Sequence, residues 1–375
     1  MVTIEQVMTK AQLRRFVDFP LQLYQDNPYY VPDLRSDERN DLNPKRNPAY
    51  EHGEAAQWLA LRQGRVVGRI MALINHNVNR TWNKRQARFS RLDFIDDAEV
   101  ADALLGQAEA WAIQRGMVEL VGPMGFCDFD KEGVLVEGFE ELSTFATYYN
   151  HAYYKDHLER LGYAKEVDWL EYQLTVPDRP DEKLTRICKM ITERTGYKLL
   201  EFNRSKDILP YGKAIFGLLN ESYKDLYGFV PLTDKQVQLF INKFFGFVNP
   251  RFIKAVVDKQ GALAAIGITM PSLSKALQRN KGRLFPFGFL PVLRSIKKNN
   301  VLDMYLVAVK PEYQNLGLNA LLIDAILREA IDQGYRLGES NPELEDNEKV
   351  KAFWKHFQRR QHRRRRVYAK HMGNT

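Results

Sequence analysis

The stretch Gln314-Asn315-Leu316-Gly317-Leu318-Asn319 can do chemistry through its backbone rather than through its side chains. It lies between a continuous apolar run, 304–309, and a helix-spaced segment from Asn319 or Ala320 to Gln333. The apolar run reads as a central strand. The following segment carries Asp324, Arg328 and Asp332 on one face and stops at Gly334. The loop therefore falls at a helix N-terminus, where unpaired amides and the helix dipole favour an anion such as a diphosphate. Gly317 has no side chain to keep phosphate oxygens from the backbone. A strand, a glycine loop and a helix also make an ordinary connector, and the pattern alone favours that reading.

Side chains with candidate roles lie nearby. In Tyr335-Arg336-Leu337-Gly338-Glu339-Ser340, alternation places Tyr335, Leu337 and Glu339 on one face of a predicted strand. A carboxylate sharing an apolar face should have a raised pKa, which suits a base that takes a proton from an ammonium through water. The alternative is an exposed strand end. Asp303 and Tyr305, on the neighbouring strand, are lesser candidates, and Glu343, Glu345 and Asp346 suit a helix N-terminus. The two cysteines, Cys127 and Cys188, are far apart without metal-ligand spacing, so no metal is expected. Cys127 has no evident activating base and reads as inert.

The elements that must position these groups occur twice. Residues 55–75 and 251–271 each read as a hairpin, turned at Gln63-Gly64 and at Gln260-Gly261. Each is followed by a strand and an amphipathic helix. An offset of 218 places Leu104 on Leu322 and Gly116 on Gly334, a weak self-similarity that indicates tandem duplication. Residues 175–183, with two prolines, look like the join. Before the join, 153–176 reads as a helix and a strand closing the first unit. Residues 272–300 are an insertion whose apolar part, Leu284 to Leu290, packs on the partner domain or walls a substrate pocket. The corresponding first-half loop has no glycine and carries Asp96 and Asp97, which would repel a diphosphate. The first half is therefore not expected to hold the same ligand. Residues 122–139, rich in glycine and aromatics, either help to form a cleft between the halves or make a structural loop.

At 375 residues, 45% hydrophobic and 27% charged, the chain has the composition of folded domains. No run of about 18 apolar residues occurs, so no membrane partner is expected. A start that mixes charge into every turn lacks a signal-peptide centre, and two cysteines suit a reducing cytoplasm. Six of the arginines lie in residues 359–366, so of the net charge of +8 only 8 − 6 = +2 remains elsewhere. This reads as a solvated terminal strand, since arginines on both faces could hardly be buried, and it is the only argument for a nucleic-acid partner.

Val309-Lys310-Pro311-Glu312-Tyr313-Gln314-Asn315-Leu316-Gly317-Leu318-Asn319, with the hairpin before it and residues 339–357 after it, resembles the GNAT superfamily of acyl-CoA N-acyltransferases. The two-part arrangement is similar to tandem bacterial proteins of that type. The resemblance implies an α/β fold with a mixed sheet, in two tandem acyl-CoA N-acyltransferase-like domains. Residues 1–178 would be degenerate, and 179–375 would hold acetyl-CoA or another acyl-CoA. It further implies that Val307 and Val309 pair with the pantetheine arm, and that the amides of Gln314, Asn315, Leu316, Gly317, Leu318 and Asn319 hold the diphosphate. Asn347 would contact the arm, and a small-molecule or peptide amine would attack the thioester. Asn319 stands where the family prefers glycine or alanine, and it can equally cap the helix. Trp354 stands where many relatives carry a proton-donating tyrosine; Val350, Phe353, Trp354 and Phe357 also form a plain core stripe. The expected activity is transfer of an acyl group, most simply acetyl, to an amine. The rivals are a non-catalytic acyl-CoA-binding protein and an aminoacyl-tRNA-dependent transferase.

Overall fold

The computed structural model describes residues 1–244, 248–347 and 357–373. The first half runs β1 (Thr3–Gln6), α1 (Lys10–Leu23), α2 (Arg35–Asp41), β2 (Gly53–Arg62), β3 (Arg65–Asn75) and α3 (His76–Thr81). It continues with β4 (Gln86–Phe94), α4 (Ala98–Ile113), β5 (Glu119–Gly122), β6 (Val134–Glu137), α5 (Tyr153–Arg160) and β7 (Ala164–Thr175). The second half opens with α6 (Glu182–Thr195), β8 (Lys198–Glu201), α7 (Ser205–Ile208), α8 (Gly212–Tyr223) and α9 (Asp234–Phe244). Then come β9 (Ile253–Val257), β10 (Leu263–Pro271), α10 (Ser274–Asn280), α11 (Phe289–Lys297), β11 (Val301–Val309), α12 (Leu318–Asp332), β12 (Leu337–Ser340), β13 (Glu343–Leu344) and β14 (Arg359–His371). Both hairpins, the strand–helix pairs after them and α6 fall where periodicity predicts them. Gln63 and Gly64 both take positive φ, as a tight hairpin turn demands.

One mixed sheet joins the halves, in the order β1-β2-β3-β4-β5-β14-β7-β12-β11-β10-β9-β8. β7 does not close the first unit on β5, as the sequence suggests. The last strand, β14, lies between them and pairs antiparallel with both, while β7 pairs onward with β12. The halves defined by chain order therefore interlock through exchanged strands, and each supplies part of the other's sheet.

That insertion overturns the reading of residues 359–366 as a solvated strand. Arg363 and Arg365 are 1% and 0% exposed. Glu171 of β7 meets both: its carboxylate lies 2.6 Å from Arg363 Nε and contacts Arg365 Nε. On the opposite face Asp168 accepts from Arg366 Nε at 2.8 Å and Arg364 Nη1 at 3.0 Å. Arg360 pairs with Glu141, and Arg359 lies over the Tyr172 ring. Acidic residues on β6, on β7 and in the loop after β6 meet Arg360 and Arg363 to Arg366 from both faces, and at Arg363 and Arg365 the layer is internal.

The 272–300 insertion departs from the reading in which its apolar part packs on the partner domain. It touches the first half through Gln278, whose side-chain amide donates to the Pro28 and Tyr30 carbonyls, and through Gly282, whose carbonyl accepts from Arg35 N. Its apolar segment does not pack there: Phe285 is 81% and Phe287 72% exposed. Among the described residues no helix is long and apolar enough to cross a membrane.

Candidate functional site

β11 and β12 run parallel only from Val301↔Leu337 to Met304↔Ser340. Beyond that point they part. Asn341 holds the divergence open, its side-chain amide donating to the Tyr305 carbonyl at 3.0 Å and its backbone N to Met304 O at 3.3 Å. On the other edge β11 stays paired with β10, and Lys310 N donates to Ala264 O. Because successive peptide groups alternate edges, the amides and carbonyls of Val307 and Val309 point into the opening. Their carbonyls are engaged from α8: the Tyr223 hydroxyl donates to Val307 at 3.0 Å and Ser222 Oγ to Val309 at 3.1 Å. What these two residues can still offer a ligand is their N–H groups.

At the far end of β11 the predicted loop reaches α12. Asn315 and Gly317 both have positive φ, 66° and 83°. Gly317 is the N-cap, without a side-chain cap. A Cβ there would meet Ile191 Cδ1 of α6 at 2.4 Å, so conformation and packing both demand glycine. Among the described residues the amides of Asn315, Gly317, Leu318 and Asn319 find no intramolecular acceptor, whereas Gln314 N and Leu316 N bond back to Pro311 O and Tyr313 O. The donor set fits a diphosphate at a helix N-terminus, with four amides rather than the six expected. The first half's equivalent is closed: Asp97 caps α4 by accepting from Val100 N, and Arg62 bridges Asp97 and Glu99.

The opening leads into a cavity of about 430 Å³ between the halves. Met304, Tyr305, Leu306, Val307, Asn341 and Asn347 line it from the β11–β12 side, and Tyr223 from α8. The helix predicted to start after Asn347, with Val350, Phe353 and Trp354, lies outside the described residues. Opposite stand Phe126 to Glu132 of the first half, the glycine-rich stretch read as either cleft or structural loop. Asp130 is structural, since its Oδ2 accepts from Phe126 N at 2.7 Å and Cys127 N at 3.2 Å. Asp128 and Glu132 are different. Burial, opposed by Arg88, pushes the Asp128 carboxyl up to about 7. Burial and the neighbouring Asp128 raise Glu132 well above the usual carboxylate range, and its Oε1 has no partner among the described residues. Asp41, across the cavity, is raised by burial to about 6 despite Lys243 at 3.3 Å. The cleft floor is apolar, with stacked Phe216 and Phe240 at 6.1 Å and Phe129 at 5.2 Å from Phe240.

The predicted base, Glu339, does not open onto this cleft. It faces a second cavity, of about 630 Å³, lined also by Gln173, Ser272, Arg294 and Arg363. Its pKa is not raised. Burial pushes it up, but His362, Arg363 and Gln173 outweigh burial and hold it below the usual range. Arg363 Nη2 and Gln173 Nε2 donate to it at 3.0 and 2.8 Å; His362 Nε2 lies 2.9 Å away, outside hydrogen-bonding alignment. Asp303, its register partner on β11, has the property expected of Glu339. Burial and the adjacent Glu339 charge push it up to about 8, against smaller opposing effects of the Ser272 hydroxyl and Arg363, and among the described residues neither oxygen makes a well-aligned hydrogen bond. Tyr305 reaches the cleft. Its hydroxyl is buried and unpartnered among the described residues, and burial with Asp303 nearby makes it a reluctant acid. Cys127 is buried, with its thiol pushed up by desolvation, and is unsuited to attack. Sequence reasoning missed Asp128 and Glu132 because their environment comes from Arg88, α8, α9 and β11 together. The legible signal was three acids spaced by two within an aromatic loop. No group of metal-ligating side chains occurs among the described residues.

Comparison places the chain among known proteins. It is 28% identical to protein YghO of Escherichia coli over 326 residues, 85% of this chain and 82% of that one. It is 26% identical to the bacterial ceramide synthase of Caulobacter vibrioides over 342 residues, 90% and 88% of the respective chains. No family model matches. Along its whole length the chain superposes on a tandem GNAT protein from the clavulanic acid biosynthesis pathway, with a TM-score of 0.59 at 16% identity over all of both chains. A GCN5-related N-acetyltransferase from Sphaerobacter thermophilus gives a TM-score of 0.53 at 11% identity, over 100% of this chain and 96% of that one.

Proposed function

We propose that this chain, which has the tandem GNAT fold, transfers an acyl group from a coenzyme A thioester to an amine in the cleft between its halves. The observation that carries the reading is the parting of β11 from β12 after Met304, which bares the Val307 and Val309 amides between an anion-holding loop and a cleft. The amides of Asn315, Gly317, Leu318 and Asn319 hold the diphosphate. Those of Val307 and Val309 hold the pantetheine arm and draw charge onto the thioester carbonyl oxygen. The amine gives up a proton, its nitrogen forms a bond to the carbonyl carbon, and the C–S bond breaks. Asp128, which lines the cleft with Val307, is the base: burial raises its carboxyl to about 7, the range that suits a proton acceptor at neutral pH. The proton it takes is the one available to the departing thiolate, since Tyr305 gives up its own reluctantly.

An acetyl group leaves most of the cleft unused. The cleft is about 430 Å³, and its floor is phenylalanine. We therefore assign an apolar chain to the acyl group, the acceptor or both. A ceramide is the amide of a long-chain amino alcohol, and the Caulobacter relative is named for making one. Calorimetric titration with acetyl-CoA and palmitoyl-CoA, followed by thiol release with long-chain amino alcohols, tests the reading. Tight palmitoyl-CoA binding and turnover are expected; failure of both thioesters to bind sinks it.

Asp128→Asn lowers kcat/KM about 100-fold, the low end of what general base catalysis contributes. The base form grows as pH rises through its pKa, so wild-type kcat/KM climbs with pH to a plateau above about 7. The variant loses that limb, whereas Asp41→Asn keeps it. An unchanged profile in Asp128→Asn would remove the residue from the chemistry.

A further inference from the structure

Among the described residues, five of the thirteen exposed large apolar side chains fall within nine positions of one another. Phe285, Phe287, Leu290 and Leu293 are 81%, 72%, 53% and 49% exposed, and Phe289 adds its edge at 36%. Folding has not left this ridge out by accident of mobility. Gly288 lies so close to the Arg283 carbonyl that a Cβ would sit 1.7 Å from it, and Asn280 Nδ2 donates to Gly288 O at 2.9 Å. Phe289 N donates to Leu284 O at 2.8 Å. α11 turns Val292 and Ile296 toward the core, and Ser295 Oγ fixes it to Ser272 O at 2.9 Å. The adjoining face, with Phe289, Leu290 and Leu293, is offered to solvent.

Charge identifies the partner. Residues 272–300 contain seven cations, Lys275, Arg279, Lys281, Arg283, Arg294, Lys297 and Lys298, and no acid. None of the seven forms an ion pair among the described residues, whereas Arg360 and Arg363 to Arg366 of β14 each meet a carboxylate. These 29 residues therefore carry seven positive charges with no acid among them, a dense local excess beside the ridge. Protein-binding patches are depleted in lysine. Aromatic and leucine side chains on one helix face, rimmed by Lys and Arg, fit the interface of an anionic bilayer.

We propose that this ridge docks the protein on anionic phospholipid, with Phe285, Phe287, Leu290 and Leu293 entering the acyl–headgroup boundary. The flanking cations meet the lipid phosphates. Such docking lies beyond the acyl-transfer reading and does not depend on it, and it replaces the expectation of no membrane partner. Arg294 and Lys298 also line the second cavity, so docking brings that cavity toward the lipid surface.

The test is sedimentation of the full chain with vesicles of phosphatidylglycerol plus phosphatidylcholine, against phosphatidylcholine alone. At low salt we expect at least about tenfold stronger binding to the anionic vesicles, weakening as salt rises. Lys297→Gln/Lys298→Gln lowers anionic binding roughly thirtyfold. Phe285→Ser/Phe287→Ser lowers it at least about tenfold. Both variants keep the wild-type urea midpoint, because the changed side chains are exposed. No preference for anionic vesicles, or undiminished binding of the phenylalanine variant, overturns the proposal. So does a dimer in the absence of lipid that the phenylalanine variant dissociates while the wild type ignores vesicles: the ridge would then cover a second copy of this chain.

Discussion

Replacing Gly317 by glutamate abolishes acyl-CoA binding at attainable concentrations, with affinity lowered by about a thousandfold or more. Three effects act in one direction. A φ of 83° costs a residue with a side chain roughly 1–2 kcal/mol. The new Cβ must displace Ile191 Cδ1, 2.4 Å from where it would sit, and so disturbs the packing of α6 on α12. The largest effect is electrostatic: charge-assisted hydrogen bonds from bare amides to phosphate oxygens contribute about 1.5–3 kcal/mol each, and a carboxylate among them repels the same ligand. Loss of two such bonds alone gives about 3–6 kcal/mol, which is 10²–10⁴ in affinity. Gly317→Ala separates the contributions, retaining the strain and losing the repulsion, and should fall between the two proteins. Calorimetric titration with coenzyme A checks the series. Wild-type affinity in Gly317→Glu would show that the diphosphate lies elsewhere.

What was legible in the sequence was local. The hairpins, the strand 301–309 and the helix that follows depend on periodicity and turn residues within a dozen positions of one another. The loop at Gly317 was legible for the same reason, since glycine, strand end and helix start are contiguous. Side-chain electrostatics were not. Alternation correctly placed Glu339 on an inward face. It could not reveal that β14 sets Arg363 and His362 against that face, nor that Asp303 would be left without such a partner. For that one reason Glu339 is held low, against expectation, while Asp303 is pushed up.

The arginine run misled for a related reason. Six arginines in eight residues look solvated unless acids await them on both faces, and the acids lie nearly two hundred positions earlier. Asp168 and Glu171, three apart on β7, necessarily point to opposite faces of that strand. That spacing matches the alternation of β14, and it was the available signal for a buried pairing.

Glu171→Gln should destabilise the whole molecule by about 3–5 kcal/mol, because it leaves two buried guanidiniums short of a counter-charge. The carboxylate is 0% exposed and set between Arg363 and Arg365, which are 1% and 0% exposed. Burial alone would raise its pKa, but the two arginines outweigh that and lower it from 4.5 to about 2. A difference of that size corresponds to about 3 kcal/mol of linked stability, which agrees with the mutational figure. The folded-state pKa lies below the unfolded one, so this stabilisation is complete above about pH 4.5 and is lost as pH falls through about 2. Glu171→Gln lacks that part of the acid sensitivity. The partners differ in what they retain: Arg363 keeps Glu339 at 3.0 Å, whereas Arg365 has no second acid among the described residues. Adding Arg365→Met to Glu171→Gln should therefore recover part of the loss, since removing a stranded charge relieves more than its hydrogen bonds supplied. Because β14 and β7 interlock the halves, the loss should appear in one transition shared by both. Guanidinium denaturation followed by tryptophan fluorescence reads these outcomes. A Glu171→Gln midpoint equal to wild type would mean that solvent reaches the arginine layer.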